Sequence, residues 1–106
     1  MKANCVFCKI IDRQLPAKVE FEDEHVIVFH CKDPSAPVHL LAVPKKHIPT
    51  LMKLEEADLP VMSHIHKIAQ MMYRQLKLEG MSMNVNCEEK GGQDVFHVHY
   101  HIKGWT

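Results

Sequence analysis

Apolar positions run through this 106-residue chain with changing period, and each period predicts an element. Cys5 to Asp12 predicts a short helix or turn with Val6, Ile10 and Ile11 inward. Val19 to Phe21 predicts a short strand, followed by turn chemistry at Asp23-Glu24. In His25 to His30 the residues Val26, Ile27, Val28 and Phe29 are continuous, the mark of a strand covered on both faces. Asp33-Pro34 and Ala36-Pro37 make Cys31 to Pro37 a loop, and Val38 to Val43 is another apolar strand, stopped by Pro44. Met62, Ile65, Ala69, Met72 and Leu76 recur at spacings of three and four and predict a long helix over Asp58 to Leu78. Asp58 is its expected N-cap, Pro60 is tolerated in the first turn, and Gly80 is the expected stop. Met81, Met83, Val85 and Cys87 then alternate with Ser82, Asn84 and Asn86, a half-buried strand. Gly91-Gly92 reads as a hairpin turn leading into a last strand, Asp94 to Lys103. Short connections between neighbouring strands favour antiparallel pairing, so the fold class is α+β: a five-stranded antiparallel sheet with one long helix and one short N-terminal helix.

Composition adds bounds. The length is that of one domain, 1–106, with no internal repeat or linker. Thirteen Lys and Arg balance thirteen Asp and Glu, so no general pull toward nucleic acid or an anionic membrane is expected. No apolar run approaches the roughly 18 residues that span a bilayer. Residues 1–9 hold no apolar signal core, so the expected location is the cytoplasm. Cys5, Cys8, Cys31 and Cys87 are then reduced thiols or metal ligands. Nine histidines stand out, because three of them alternate in one short segment.

In Val95 to Lys103, Phe96, Val98, Tyr100 and Ile102 share one strand face, expected to pack on the long helix. Val95, His97, His99, His101 and Lys103 share the other, with successive imidazoles about 6.6 Å apart along a strand. Three readings are open. The row is a solvated edge face, or a three-histidine metal centre, or the seat of nucleophilic catalysis. A neutral imidazole attacks phosphorus near neutral pH, and the resulting phosphoramidate can be hydrolysed.

Cys5-x2-Cys8 has zinc-ligand spacing but supplies only two thiolates. A thioredoxin-like redox pair is disfavoured because no strand precedes the motif. Two thiols without metal remain an alternative. Cys87 falls in the apolar alternation and is expected in the core, and His64 and His66 on the long helix are expected to be surface or capping residues.

Gly91-Gly92-Gln93-Asp94-Val95-Phe96-His97-Val98-His99-Tyr100-His101 resembles the signature of the histidine triad (HIT) family. Cys5-Val6-Phe7-Cys8-Lys9-Ile10-Ile11, Pro16-Ala17-Lys18, Phe21-Glu22-Asp23-Glu24 and His39-Leu40-Leu41-Ala42-Val43-Pro44-Lys45-Lys46-His47-Ile48 are similar to further family blocks in the same order. The nearest branch by resemblance is that of the histidine triad nucleotide-binding proteins, which act on purine nucleoside phosphoramidates and related adenylates. The resemblance implies that His99 attacks the α-phosphorus of an AMP or GMP derivative. A nucleotidyl-His99 intermediate forms, and water then releases the nucleoside monophosphate. It further implies that His101 contacts phosphate oxygens or the leaving group. Asn86 and Gly92 would lie near the phosphate, and Ile11, Phe21 and Phe29 would wall the base pocket. Zinc would be held structurally by Cys5, Cys8, His47 and His97, and the protein would be a homodimer. Two positions depart from the pattern. Cys31 stands where an acidic residue usually meets the ribose, with Asp33 two residues on, and Asp94 stands where a serine usually lies near the phosphate. These departures keep two alternatives in view: a nucleotide-binding protein without turnover, and a hydrolase of dinucleoside polyphosphates.

Overall fold

The computed structural model describes residues 4–106; of the expected domain 1–106, residues 1–3 lie outside the described residues. The chain forms α1 (Val6–Ile11), β1 (Val19–Glu22), β2 (Val26–His30), β3 (Val38–Pro44), α2 (Leu59–Gln75), β4 (Gly80–Val85) and β5 (Tyr100–Trp105). The strands make one sheet in the order β1-β2-β3-β5-β4, every neighbouring pair antiparallel. The expected α+β architecture of five strands, one long helix and one short helix is the one found.

Alternation on the two central strands divides the core. Val26, Val28, Leu40 and Ala42 point to one face and pack with Met62, Ile65, Ile68, Ala69 and Met72 of α2. Ile27, Phe29, Leu41 and Val43 point to the other and pack with Phe7, Cys8 and Ile10 of α1. Both faces are therefore dry at the middle of the sheet, which is why β2 and β3 read as unbroken apolar runs. Full burial of one such side chain contributes about 1.5–3 kcal/mol. The β1–β2 turn is closed by Asp23, whose Oδ1 accepts the backbone N–H groups of His25 (2.9 Å) and Val26 (2.8 Å).

Several local expectations are corrected. Val6 is exposed, and Phe7 and Cys8 join Ile10 on the inner face of α1, while Ile11 is only half-buried. Asp58 holds the expected N-cap position of α2, but its side chain makes no capping bond to the helix. Its carboxylate instead accepts the Glu55 N–H (2.9 Å) and the Lys46 ammonium (2.7 Å). Gly80 does not stop α2 but opens β4; Lys77 takes the left-handed position with φ 54°. The Leu78 N–H then bonds the Tyr73 carbonyl and the Lys77 N–H the Arg74 carbonyl, a Schellman closure. Leu78 lies across Gly104, where an added Cβ would come within 2.5 Å of its Cδ1. His64 is not a free surface group: its Nε2 meets the Asp23 carboxylate at 2.7 Å and ties α2 to the β1–β2 turn. Cys87 is half-buried rather than in the core.

The largest correction falls on the histidine segment. No two-residue hairpin joins β4 to β5; the strands pair from Gly80↔Trp105 to Val85↔Tyr100, and residues 86–99 form a long connection. Gly92 still does what a glycine is needed for, with φ 91°. Buried Gln93 fastens the connection: its Nε2 donates to the carbonyls of Pro49 (2.7 Å) and Val95 (3.0 Å), and its Oε1 accepts the Glu88 N–H (2.9 Å). The Val98 N–H bonds the Ile48 carbonyl at 2.7 Å. These tertiary partners replace a strand ladder before Tyr100, and Phe96, expected in the core, is 44% exposed.

Candidate active site

Only His101 of the three alternating histidines sits on a regular strand; His97 and His99 lie just before β5. Both are nonetheless almost completely buried, because α1 folds over them. Phe7 of α1 packs edge-on against His99 (centroids 5.0 Å apart), His97 (5.9 Å) and Phe29 (5.5 Å). The segment therefore has an apolar shell, and each imidazole must find its own hydrogen-bond partner.

Those partners fix the tautomers. His99 Nδ1 donates to its neighbour's backbone carbonyl, that of His97, at 2.8 Å. Its Nε2 is left with a lone pair and lies 3.7 Å from Asp94 Oδ1. The Ser35 N–H donates to His39 Nδ1 at 3.1 Å, so the His39 proton is on Nε2 and is donated to His101 Nδ1 at 2.9 Å. His101 thus keeps an Nε2–H donor. Burial, then the nearby His99 and His39, push His101 down to about 4, and burial followed by the Lys103 ammonium pushes His39 down. Both rings are neutral near pH 7, and His101 acts as a directed donor rather than a cation.

A cleft of about 410 Å³ opens beside these rings. Val6, Phe7, Ile10, Phe29 and Leu41 give it apolar walls; His99, His101 and Asp94 stand on one side, and Cys31, Lys32, Asp33 and Lys18 on another. Six of the expected site residues, Phe29, Cys31, Asp33, Asp94, His99 and His101, line this one space. Ile11 does not; it is the half-buried last residue of α1, packed against the α1-side core, and Ile10 takes the wall position. Phe21 packs on the opposite, α2 side of the sheet. Asn86 and Gly92 are also outside the lining. They meet each other in the connection, where the Asn86 amide nitrogen donates to the Gly91 carbonyl (2.8 Å) and lies 3.2 Å from where a Cβ on Gly92 would be.

Sequence reasoning assigned no role to His39 or Phe7. The signal for His39 was present: it is the one polar residue in the apolar run Val38–Val43, at a position that shares a face with Leu41 and Val43. Phe7 carried no such signal, since its value comes from a partner far along the chain.

Cys5, Cys8, His47 and His97 converge behind the cleft, with one donor atom of each within 4.8 Å of the others. Cys5 Sγ lies 3.4 Å from His97 Nδ1, and Cys8 Sγ lies 3.3 Å from His47 Nδ1 and 3.6 Å from His97 Nδ1. Tetrahedral zinc with Zn–S near 2.3 Å and Zn–N near 2.05 Å places S and N about 3.6 Å apart, so the donor set fits. His97 Nε2 donates to the Pro44 carbonyl at 2.7 Å, which leaves Nδ1 bare and aimed at the thiols. Burial, foremost, holds His97 at about 4, in the neutral form a ligand needs. Cys5 is the N-cap of α1, its sulfur accepting the Cys8 N–H, so this cluster also anchors the helix that covers His99.

Fold and site together define an α+β domain that buries an ordered group of imidazoles beside an apolar-walled cleft. Comparison with known proteins places that class. The family model described as "Scavenger mRNA decapping enzyme C-term binding" matches residues 4–106. A protein of Chlamydia muridarum described as an uncharacterized HIT-like protein is 42% identical over 100 residues, covering 93% of this chain and 79% of the relative. The solved structure of a HIT family hydrolase from Clostridium thermocellum superposes with a TM-score of 0.95 at 41% identity, covering 100% of this chain and 94% of that one. A histidine triad protein from Clostridium difficile superposes with a TM-score of 0.96 at 34% identity, again covering 100% and 94%. The chain belongs to the histidine triad (HIT) family. Among the described residues, no helix is long and apolar enough to cross a membrane.

Proposed function

We propose that this protein is a nucleotidyl hydrolase that cleaves purine nucleoside phosphoramidates and related adenylates through a covalent nucleotidyl-His99. The observation that carries the reading is the locked His99 ring: Nδ1 is held by the His97 carbonyl, and the Nε2 lone pair is presented at the cleft. A nucleophile held in one tautomer and one rotamer has already lost the freedom that attack would otherwise cost.

The apolar walls at Phe29, Ile10 and Leu41 suit a base, Cys31 and Asp33 lie where a ribose would follow, and the imidazoles take the α-phosphate. His99 Nε2 attacks phosphorus, the P–N bond to the leaving amine breaks, and the departing nitrogen takes up a proton from solvent, which the attacking water returns in the second step. His101 Nε2–H donates to a phosphate oxygen as charge builds there. Water then attacks phosphorus, the P–Nε2 bond breaks, and the nucleoside monophosphate leaves with His99 neutral again. Asn86 and Gly92 shape the connection beside this phosphate site. Zinc on Cys5, Cys8, His47 and His97 has a structural role in the same proposal, since all four positions are filled by protein. The reading also takes the protein as cytoplasmic and homodimeric; the unpaired outer edge of β4 supports a partner.

The test is incubation with adenosine 5′-phosphoramidate. Wild type is expected to release AMP, and rapidly quenched protein to carry an acid-labile nucleotidyl adduct by mass spectrometry. If His99→Asn releases AMP at the wild-type rate, the assignment is overturned. A nucleotide-binding protein without turnover is the second reading. It is favoured by one observation, the Asp94 carboxylate beside the path of an anionic phosphate, and it predicts AMP binding with no product from the phosphoramidate.

A further inference from the structure

Asp94 stands where two hollows meet. It lines the cleft that holds His99 and His101, and it also lines a second hollow of about 450 Å³ bounded by Val6, Pro49, Val95 and Phe96, with Asn4, Cys5 and His47 in the same lining. Val6 and Phe96 are among the exposed large apolar side chains of the molecule, at 45% and 44%. No lysine or arginine is among the described residues that line this second hollow, whereas Lys18 and Lys32 both line the first. The Asp94 side chain is 77% exposed and has one ion-pair partner among the described residues, His99 Nε2 at 3.7 Å. The attacking His99 ring gains positive charge only as Nε2 bonds phosphorus, while a bound phosphate adds negative charge beside Asp94 from the start. A cation carried by the substrate would complement this carboxylate in the bound state.

We propose that Asp94 selects the leaving group: the preferred substrates are nucleotide amides of amines that carry a second, permanently protonated amine on an apolar stem. This inference rests on the reading of His99 as the nucleophile. The scissile nitrogen leaves on the side of phosphorus away from Nε2, and a chain of a few methylenes brings its distal ammonium back to the carboxylate. The stem lies on Val95, Phe96 and Val6. The distal ammonium takes no part in bond making; the P–N bond breaks as described above.

The test compares two AMP phosphoramidates of equal length, one made with 1,4-diaminobutane and one with n-pentylamine. Wild type is expected to favour the charged amide by about five- to tenfold in kcat/KM, as for one partly exposed ion pair, with the preference shrinking as salt rises. Asp94→Asn should bring the ratio near one, Asp94→Glu should keep part of it, and Glu24→Gln, at an exposed carboxylate outside both hollows, should leave the ratio as in wild type. The same pair is titrated against His99→Asn by displacement of a fluorescent AMP analogue, so that binding preference is read without turnover. AMP release with no preference, or a preference that survives Asp94→Asn, overturns the inference alone. A charged preference in binding with no AMP released from either amide overturns the nucleophile, and the leaving-group selection with it, and leaves Asp94 as a cation contact of a binding protein. Failure of both amides to bind overturns both.

Discussion

The two faces of the sheet are built from the same strands and do opposite work. The α2 face is closed by a seventeen-residue helix whose inward residues, Met62, Ile65, Ile68, Ala69 and Met72, pack into one apolar cluster with Val26, Val28, Leu40 and Ala42. The α1 face is covered by a six-residue helix that brings a phenylalanine and two thiols against imidazoles and leaves a cleft at its side. One face has the continuous burial that stability needs. The other places polar groups in an apolar shell, where each must be held by a specific bond. Because β2 and β3 are shared, the closed face can supply the rigidity that the open face needs for positioning.

The comparison predicts that damage to the two faces will separate. The largest effect is expected at the open face: His99→Asn should lower turnover of the phosphoramidate by about 10⁴-fold or more while the thermal midpoint moves only a few degrees. Steady-state kinetics beside a thermal melt reads both, and parallel losses would break the division. Ile65→Ala is the mirror experiment. It should cost about 2–5 kcal/mol in denaturant unfolding while leaving kcat/KM of the folded fraction unchanged. Metal removal tests whether α1 is anchored through its thiols. A chelator should lower stability by about 3 kcal/mol for a site at a hundredfold excess over Kd. Elemental analysis should show the loss of zinc, and Cys8→Ser should no longer respond to chelator.

The smallest effect is in pH. His39 and His101 have folded values below their unfolded value near 6.5, His101 reaching about 4. The unfolded chain therefore binds more protons between pH 6.5 and 4. The stabilisation is complete above 6.5 and is lost as pH falls toward 4. A wild-type stability profile should fall as pH falls across that window, and a His39→Gln, His101→Gln double variant should make the slope shallower, with His97, also held at about 4, contributing the rest. An unchanged slope would show that the pair is not what titrates.

Much of this was written in local pattern. The continuous apolar residues of β2 and β3, the three-and-four spacing of α2 and the alternation of β4 each state a period, and a period states which faces are covered. The Cys5-x2-Cys8 spacing and the alternating histidines marked where chemistry would gather; of the residues that the resemblance to the HIT family named, Phe29, Cys31, Asp33, Asp94, His99 and His101 line one cleft, whereas Ile11, Phe21, Asn86 and Gly92 do not. What could not be read is where local pattern loses to a distant partner. The alternation of Val95 to Lys103 predicted a strand, yet the ladder begins at Tyr100 because Gln93 and Val98 bond to Pro49 and Ile48 instead. Phe96 consequently faces outward.

The sequence by itself determined the strand and helix content, the family and the residues able to do chemistry, because these follow from side-chain type and spacing. Only the tertiary structure decided which imidazole nitrogen is free. His99 presents Nε2 because the His97 carbonyl takes Nδ1, and His101 presents a proton because Ser35 and His39 set its tautomer from another strand and loop. It also showed Asp94, two residues past the glycine turn, at the seam of two hollows. The identity of a histidine is local, but its protonation pattern is set by whatever the fold places beside it.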